Sequence, residues 1–445
     1  MDDLLVIQQN GAASPREVLI EALERCRRAG DLNAFITLAD DSETASPGSR
    51  EGLPLAGIPI AVKDCIDVAG FPCTAGTPGL RDWRPRHDAP IVARLRAAGA
   101  VFAGKTNLHE LTLGASSDNP TFGRVRNPHA PELIAGGSSG GSAVAVAIGA
   151  VPVALGTDTV GSSRVPAALC GCVGFRPTTG RYPHGGIVQG SLTLDTPGLF
   201  AGNVPDLLLV DHILSGEGGG ESEIAGKRVG VPRRYFYDDL DPELEVTIEA
   251  ALQRLAGAGA ELIETEIGGL DEKLAQLSPI ASFELPRELA FYLAAGRAPF
   301  TAWAVIDAIA GDFERAHYEE QLWGQAISER QYGEALGGGR KALVDAYAAC
   351  FEGDRLDVLA FPATPLPARP LGDDETVCLN GRAVNAHDTY LRNTAPASFA
   401  AIPSISVPAG ETAAGLPVGI CFEMPRGRDR ALLGLAAAFE RLGSA

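Results

Sequence analysis

The chain has 445 residues, with 37 Lys plus Arg against 56 Asp plus Glu and a formal net charge of −19. That surplus of carboxylates repels phosphate backbones and, with no basic patch in the sequence, excludes sequence-independent nucleic-acid binding. A hydrophobic content of 45% and a charged content of 21% belong to a chain that folds around a large core, not to a disordered one.

The N-terminus, Met1-Asp2-Asp3, lacks the basic and long apolar regions of a secretory signal. Ser14-Pro15-Arg16-Glu17 combines a capping box with Pro at the first helical position and opens an amphipathic helix to about Arg28. A short strand at 34–38 precedes a polar loop, 40–53, and the apolar run 55–62 reads as a buried strand that ends on Lys63-Asp64. A helix over 89–98 leads into a strand at 100–103. The Gly/Ser loop 136–141 is followed by a helix of small residues and a strand at 151–155. The stretch 143–156 is too short to span a bilayer and contains Pro152. Residues 215–226 (SGEGGGESEIAG) resemble a linker. Beyond them come a strand at 228–231, a helix at 242–255, a strand at 258–262, a helical stretch at about 275–350, strands at 358–361, 404–407 and 418–422, and a closing helix at 428–442. This alternation predicts an α/β fold with one sheet assembled from both ends of the chain. The expected location is the cytoplasm.

Eight cysteines are too sparse for a disulfide framework and read as reduced packing residues. Only five lysines occur, at 63, 105, 227, 273 and 341; every other basic side chain is an arginine. Gly99 to Thr106 fits the pattern G-x-x-x-x-G-K-[ST] letter by letter. A phosphate-binding loop needs a strand before its first Gly and a helix opening at the Lys. Here a helix precedes Gly99 and an apolar strand lies between the glycines, so a nucleotide-binding reading is rejected.

Two runs concentrate small residues, 136–142 (GGSSGGS) and 156–166 (GTDTVGSSRVP). Both sit between strongly apolar segments, where unpaired hydroxyls and amides are costly. A Gly-rich turn can expose a serine nucleophile while neighbouring N–H groups converge as an oxyanion hole. The serine needs a base. None of the seven histidines lies in a local catalytic signature, whereas Lys63 ends an apolar strand, where desolvation favours the neutral amine; a lysine snorkelling from a strand end is the bland alternative.

The blocks PIAVKD (59–64), GKTNLHEL (104–111), RNP (126–128), GGSSGGSAVAVA (136–147), GTDTVGSSRVPAALCGCVGFRPTTGR (156–181) and DTPGLF (195–200) resemble the amidase signature family of serine amidohydrolases. Within it, 174–188 and the C-terminal tail are most similar to bacterial indoleacetamide and mandelamide hydrolases. The resemblance implies an α/β fold with a single large domain over 1–445, a mixed twisted sheet covered by helices on both faces. Its signature core spans about 54–200, a substrate-covering excursion about 275–350, and C-terminal strands and helix 355–445.

The resemblance also implies a catalytic Lys63, a bridging Ser138 after a cis peptide and a nucleophile Ser162. The N–H groups of Thr159, Val160, Gly161 and Ser162 are implied as the oxyanion hole. Thr112 and Ser138 are implied in substrate binding, with Asp158, Arg164, Gly137 and Ser139 supporting the site. The family uses no metal or organic cofactor. The expected partner is a small amide, without nucleic acid or membrane, and a homodimer is compatible with this. The amidase subunit of a tRNA-dependent amidotransferase and a non-catalytic binding protein are the alternative readings within the family. One departure stands out: Val160 occupies a position where most relatives have Gly. Its β-branched side chain resists positive φ, so the loop is expected to run at negative φ there or to be strained.

Overall fold

The apolar runs become an eleven-stranded sheet in a computed structural model that describes residues 15–40, 52–220, 222–324, 326–372 and 375–443. The cap expected at Ser14 and positions 41–51 of the expected polar loop lie outside the described residues. The strands are β1 (Phe35–Leu38), β2 (Pro59–Lys63), β3 (Val101–Thr106), β4 (Val153–Asp158), β5 (Val173–Arg176), β6 (Thr196–Ala201), β7 (Arg228–Pro232), β8 (Glu261–Thr265) and β9 (Val358–Pro362). A separate hairpin pairs β10 (Thr376–Leu379) with β11 (Arg382–Asn385), and β12 (Ser404–Glu411) and β13 (Pro417–Glu423) complete the large sheet. Its order is β1-β3-β2-β4-β6-β5-β12-β13-β9-β7-β8, so the two ends of the chain meet where β5 pairs with β12. β2 is parallel to both β3 and β4, and β7 to both β8 and β9; the remaining neighbours are antiparallel.

Successive side chains of a strand point to opposite faces, and β9 shows that both faces are covered. Val358 and Ala360 belong to one apolar cluster, which also holds Leu207, Leu252 and Leu432 from three helices, while Leu359 and Phe361 belong to another with Leu270, Leu343 and Tyr347 from two others. The stretch expected to be helical contains Ser278–Ala295, Ala302–Asp307, Asp312–Trp323, Glu329–Glu334 and Arg340–Gly353.

Several boundaries differ from the sequence reading. β4 continues to Asp158 because β6 pairs with it residue by residue, from Val153 opposite Ala201 to Asp158 opposite Thr196. β8 lies at 261–265 because its parallel register with β7 begins at Arg228 opposite Glu261. Lys105 and Thr106 end β3 itself, and no helix opens there. Pro197 sits inside β6 opposite Thr157 of β4, although proline normally argues against a strand; the β5 ladder ends at Leu199, so Pro197 has a paired neighbour on one side alone. The helix Val204–Ser215, capped by Asn203 accepting from Asp206 N–H, is a further difference: its apolar residues lie on all sides and leave no amphipathic stripe in the sequence. All eight cysteines are unbridged and seven are buried, but Cys378 is exposed. It points outward from β10 while Val377 and Leu379 point in, which corrects the packing expectation for that residue. Among the described residues no helix is long and apolar enough to cross a membrane.

Gly174 of β5 marks a close approach of the sheet to the start of the helix Arg164–Cys170: a Cβ there would stand 2.3 Å from Ser163 O and 2.5 Å from Ala167 Cβ. Gly174→Ala is therefore expected to destabilise the protein by about 1–3 kcal/mol, the usual penalty for overpacking. Urea unfolding measures it; an unchanged midpoint contradicts the contact.

Candidate active site

Because β2 and β4 are parallel neighbours, their C-terminal ends lie side by side, the place where open α/β sheets hold ligands. Lys63 ends β2, and Thr157 and Asp158 end β4. Lys63 is fully buried, and its Nζ donates to Ser138 Oγ at 2.7 Å and Thr157 Oγ1 at 2.8 Å. Burial pushes its pKa down to about 8, against weaker opposition from Cys65, Asp195 and Asp158. Lys105, equally buried, makes an ion pair with Asp64 at 2.7 Å. Burial lowers its pKa too, but Asp64 outweighs burial and the net shift is upward. Two buried lysines thus have opposite proton affinities, because one faces hydroxyls and the other a carboxylate.

Ser138 follows a cis peptide from Gly137, as the resemblance implied, and is buried. The backbone of 114–116 lies against Gly137, where a Cβ would meet Ala115 C at 2.8 Å and Gly114 O at 2.9 Å. Ser139 Oγ donates to Thr157 O at 3.2 Å, joining this loop to the end of β4, and the helix Gly140–Ala147 begins directly after it.

The Ser162 loop hangs from the end of β4 and is held by a buried charge cluster. Arg164 forms a two-pronged contact with Asp158, Nε to Oδ2 at 3.0 Å and Nη2 to Oδ1 at 2.8 Å. Arg176 adds Nη1 to Oδ1 at 3.2 Å, and Ser163 N–H donates to Oδ2 at 3.1 Å. Burial alone raises the Asp158 pKa, but the two guanidinium groups reverse that and hold it below the usual carboxylate range. Gly161 has φ +150°, and a Cβ there would meet Thr394 Oγ1 at 2.2 Å, so the position requires glycine. Val160 keeps a negative φ, since it is absent from the described non-glycine residues with positive φ. Its side chain packs at the edge of two apolar clusters, one with Leu194 and Ala397, the other with Ala115 and Leu391. The loop therefore accepts a β-branched residue at 160 without a left-handed backbone.

Ser162, Thr159, Val160 and Thr112 line one cavity of about 630 Å³, with Leu285 and Phe399 among its apolar walls. Thr112 reaches that wall with φ +65°. Ser162 is 5% exposed, whereas Ser138 and Lys63 are fully covered and sit behind the wall. The structure thus joins Lys63, Ser138 and Thr157 by hydrogen bonds and sets Ser162 on the adjoining loop. The Ser162 Oγ and the N–H groups of 159–162 have no hydrogen-bond partner among the described residues. No group of three or more His, Cys, Asp or Glu among the described residues could hold a metal ion.

Four contributors were missed from sequence. Thr157 shares Lys63 with Ser138. Arg176 completes the charge cluster, and Asp195 takes a hydrogen bond from the Thr159 side chain and from Gly190 N–H at 2.8 Å. Asn127 donates to Leu169 O at 2.8 Å, satisfying a carbonyl in the last turn of the helix that follows Ser162. All four lie inside the motif blocks, but block membership does not say which way a side chain faces.

The family described as Amidase matches residues 17–433. An indoleacetamide hydrolase of Allorhizobium ampelinum is 38% identical over 96% of this chain and 94% of its own length. A mandelamide hydrolase of Pseudomonas putida is 37% identical over 95% of this chain and 87% of its own. A crystal structure of an amidase superposes with a TM-score of 0.86 at 33% identity, covering 99% of both chains.

Removing the carboxylate charge of Asp158 takes from two buried guanidinium groups the carboxylate that they bond to directly. Asp158→Asn is expected to destabilise by about 3–5 kcal/mol, as when one partner of a buried ion pair is lost. Chemical denaturation beside Ser162→Ala measures it, and equal stability of the two variants would remove the structural role given to Asp158.

Proposed function

The chain belongs to the amidase signature family and is an amide-hydrolysing enzyme, and from that premise we propose that it cleaves the C–N bond of small arylalkyl carboxamides using Ser162, Ser138 and Lys63. The observation that carries this reading is the buried Lys63, whose Nζ meets the hydroxyls of Ser138 and Thr157. Burial makes its neutral amine accessible near physiological pH, and a neutral amine is a base.

In the proposed course, Ser162 Oγ attacks the amide carbonyl carbon as its proton passes to Ser138 and the Ser138 proton to Lys63 Nζ. The negative charge that develops on the carbonyl oxygen is met by the free N–H groups of 159–162. Collapse breaks the C–N bond; Ser138 protonates the departing ammonia or amine and recovers a proton from Lys63. Water then adds to the Ser162 ester along the same relay, releasing the carboxylate. The Asp158, Arg164 and Arg176 cluster acts at one remove, by fixing the loop whose amides must point at one spot before the oxyanion exists.

The apolar walls supplied by Leu285, Val160 and Phe399 suit an aromatic acyl group, and the names of the indoleacetamide and mandelamide hydrolases support one. Residues 275–350 contribute part of the cavity wall, including His317, and are read as part of one catalytic domain over 1–445. Turnover by the purified chain alone separates this reading from the amidotransferase subunit, which needs partner chains.

Ser162→Ala is expected to lower kcat on phenylacetamide or indole-3-acetamide by about a thousandfold or more. Lys63→Arg is expected to do the same, since a guanidinium keeps the charge but cannot act as a base. Normal turnover in Ser162→Ala displaces the nucleophile. In the wild type, kcat/KM is expected to rise with pH as Lys63 loses its proton, with its midpoint near pH 8 and a plateau above it; a profile that falls between pH 6 and 8 contradicts a neutral-lysine base. Val160→Gly is expected to keep activity and accept a wider set of acyl groups, measured on a panel of aliphatic and arylacetic amides.

A further inference from the structure

A second cavity, of about 560 Å³, lies against the helix Arg340–Gly353, with Val344, Phe351 and Ile402 among its apolar walls. Its charged side chains are Arg340, Lys341, Arg426 and Glu352. Lys341 pairs with Asp345 at 2.5 Å, and Glu352 stands at the other end of the helix from Arg340, about 18 Å away by the helical rise. Arg340 donates through Nε to Phe399 O at 2.9 Å, and Arg426 through Nη2 to Thr179 O at 3.1 Å. Among the described residues neither arginine has a carboxylate within ion-pair reach, and the two Nη groups of Arg340 are neither hydrogen-bonded nor shielded from water.

Two guanidinium groups on one cavity repel each other. Burial and then the neighbouring Arg426 hold the Arg340 pKa below its ordinary value, with weaker opposition from Glu284. A single carboxylate relieves that repulsion, and a guanidinium fork matches its two oxygens. The apolar walls ask that the carboxylate carry an apolar body. One short helix, Ala395–Ala400, joins this cavity to the Ser162 site: Phe399 lines the Ser162 cavity, Ala400 lines the second one, and the carbonyl that Arg340 holds belongs to Phe399. At the start of that helix Thr394 Oγ1 donates to Val160 O at 2.7 Å, and further along Ser398 Oγ accepts from Arg164 Nη2 at 2.9 Å. A carboxylate that draws Arg340 away from Phe399 O therefore loosens the helix that braces the Ser162 loop.

We propose that this cavity is an effector site for a carboxylate bearing an apolar ring, the class to which the product of an arylalkyl amide belongs, and that its occupation slows turnover at Ser162. The ring rests on the arylalkyl reading of the Ser162 cavity; the carboxylate and its apolar body follow from the second cavity itself. Coupling of this kind needs two distinct sites that bear on one element, here the helix Ala395–Ala400.

The test uses indole-3-acetate as probe, indole-3-ethanol as its uncharged counterpart and phenylacetamide as substrate. An acid that entered the Ser162 cavity alone would raise KM and leave kcat unchanged, so a fall in kcat at saturating phenylacetamide reports the second site. The acid is expected to lower kcat by about twofold or more, and the alcohol to need about ten times the concentration for the same effect, the worth of a hydrogen bond to a charged group. Ala348→Trp, which fills the cavity from an exposed helix position, and Arg426→Gln are each expected to abolish the fall in kcat while leaving the uninhibited kcat within about twofold of the wild type. A pure KM effect in the wild type, equal potency of the alcohol, or a kcat effect that survives in either variant overturns the proposal. If phenylacetamide is not cleaved, the arylalkyl reading falls, and calorimetric titration with indole-3-acetate tests the site by itself: binding that is lost in Ala348→Trp upholds it, and binding that is absent from the wild type or unchanged in the variant overturns it.

Discussion

A lysine buried without a carboxylate partner is the constraint around which the site is arranged. Lys63 gives up its hydration at the end of β2 and receives two hydroxyl oxygens in return. Hydroxyls accept its hydrogen bonds but supply no charge to hold the proton, so the desolvation that would make an ammonium expensive makes the amine available. An arginine could not answer the same environment by losing its proton. In a chain with five lysines, this is where the choice of lysine over arginine has a chemical consequence.

The scaffold keeps that lysine beside the Ser162 loop by covalent and electrostatic means that do not touch it. The loop follows directly from β4, whose parallel register with β2 fixes the spacing of the strand ends. Asp158 lies at the last position of β4 and takes Arg164, Arg176 and the Ser163 amide together. Each of these charges would be costly in the core alone; as a closed set with multiple hydrogen bonds the cost is offset and the loop has one geometry. Close approaches at Gly137 and Gly161 leave no room for a Cβ, so neighbouring loops lie directly on the site's backbone.

The helical excursion is fastened to the same frame. Glu110 accepts from the N–H groups of Ala310 at 3.1 Å and Gly311 at 2.8 Å, at the entry to the helix Asp312–Trp323, and the adjacent His109 pairs with Glu314 one turn further on. A carboxylate at a helix start is favoured by the exposed amides there. Two consecutive residues of the GKTNLHEL block therefore position the helix that carries His317 into the cavity wall. Both residues thereby support a wall of the cavity, and both lie outside the Gly99–Thr106 pattern.

Much of the fold was legible because burial writes itself into sequence: the apolar runs of β2, β3, β4, β9, β12 and β13 appear as strands where expected, and the 275–350 stretch is helical. β6 was not legible, since Pro197 reads as a breaker until it is seen to pair with β4 past the end of the β5 ladder, where one side of the strand is free. By itself the sequence, through its motif blocks, pointed to Lys63, Ser138, Ser162 and the loop 159–162 and gave their order along the chain, but not Thr157, Arg176, Asp195 or Asn127, whose side-chain directions it does not record. Only the tertiary structure decided which buried lysine could become neutral. Asp64 is the covalent neighbour of Lys63, and sequence proximity would pair them. Alternation along the strand sends their side chains apart, and the parallel register that sets Lys63 opposite Thr106 brings Asp64 to Lys105 instead.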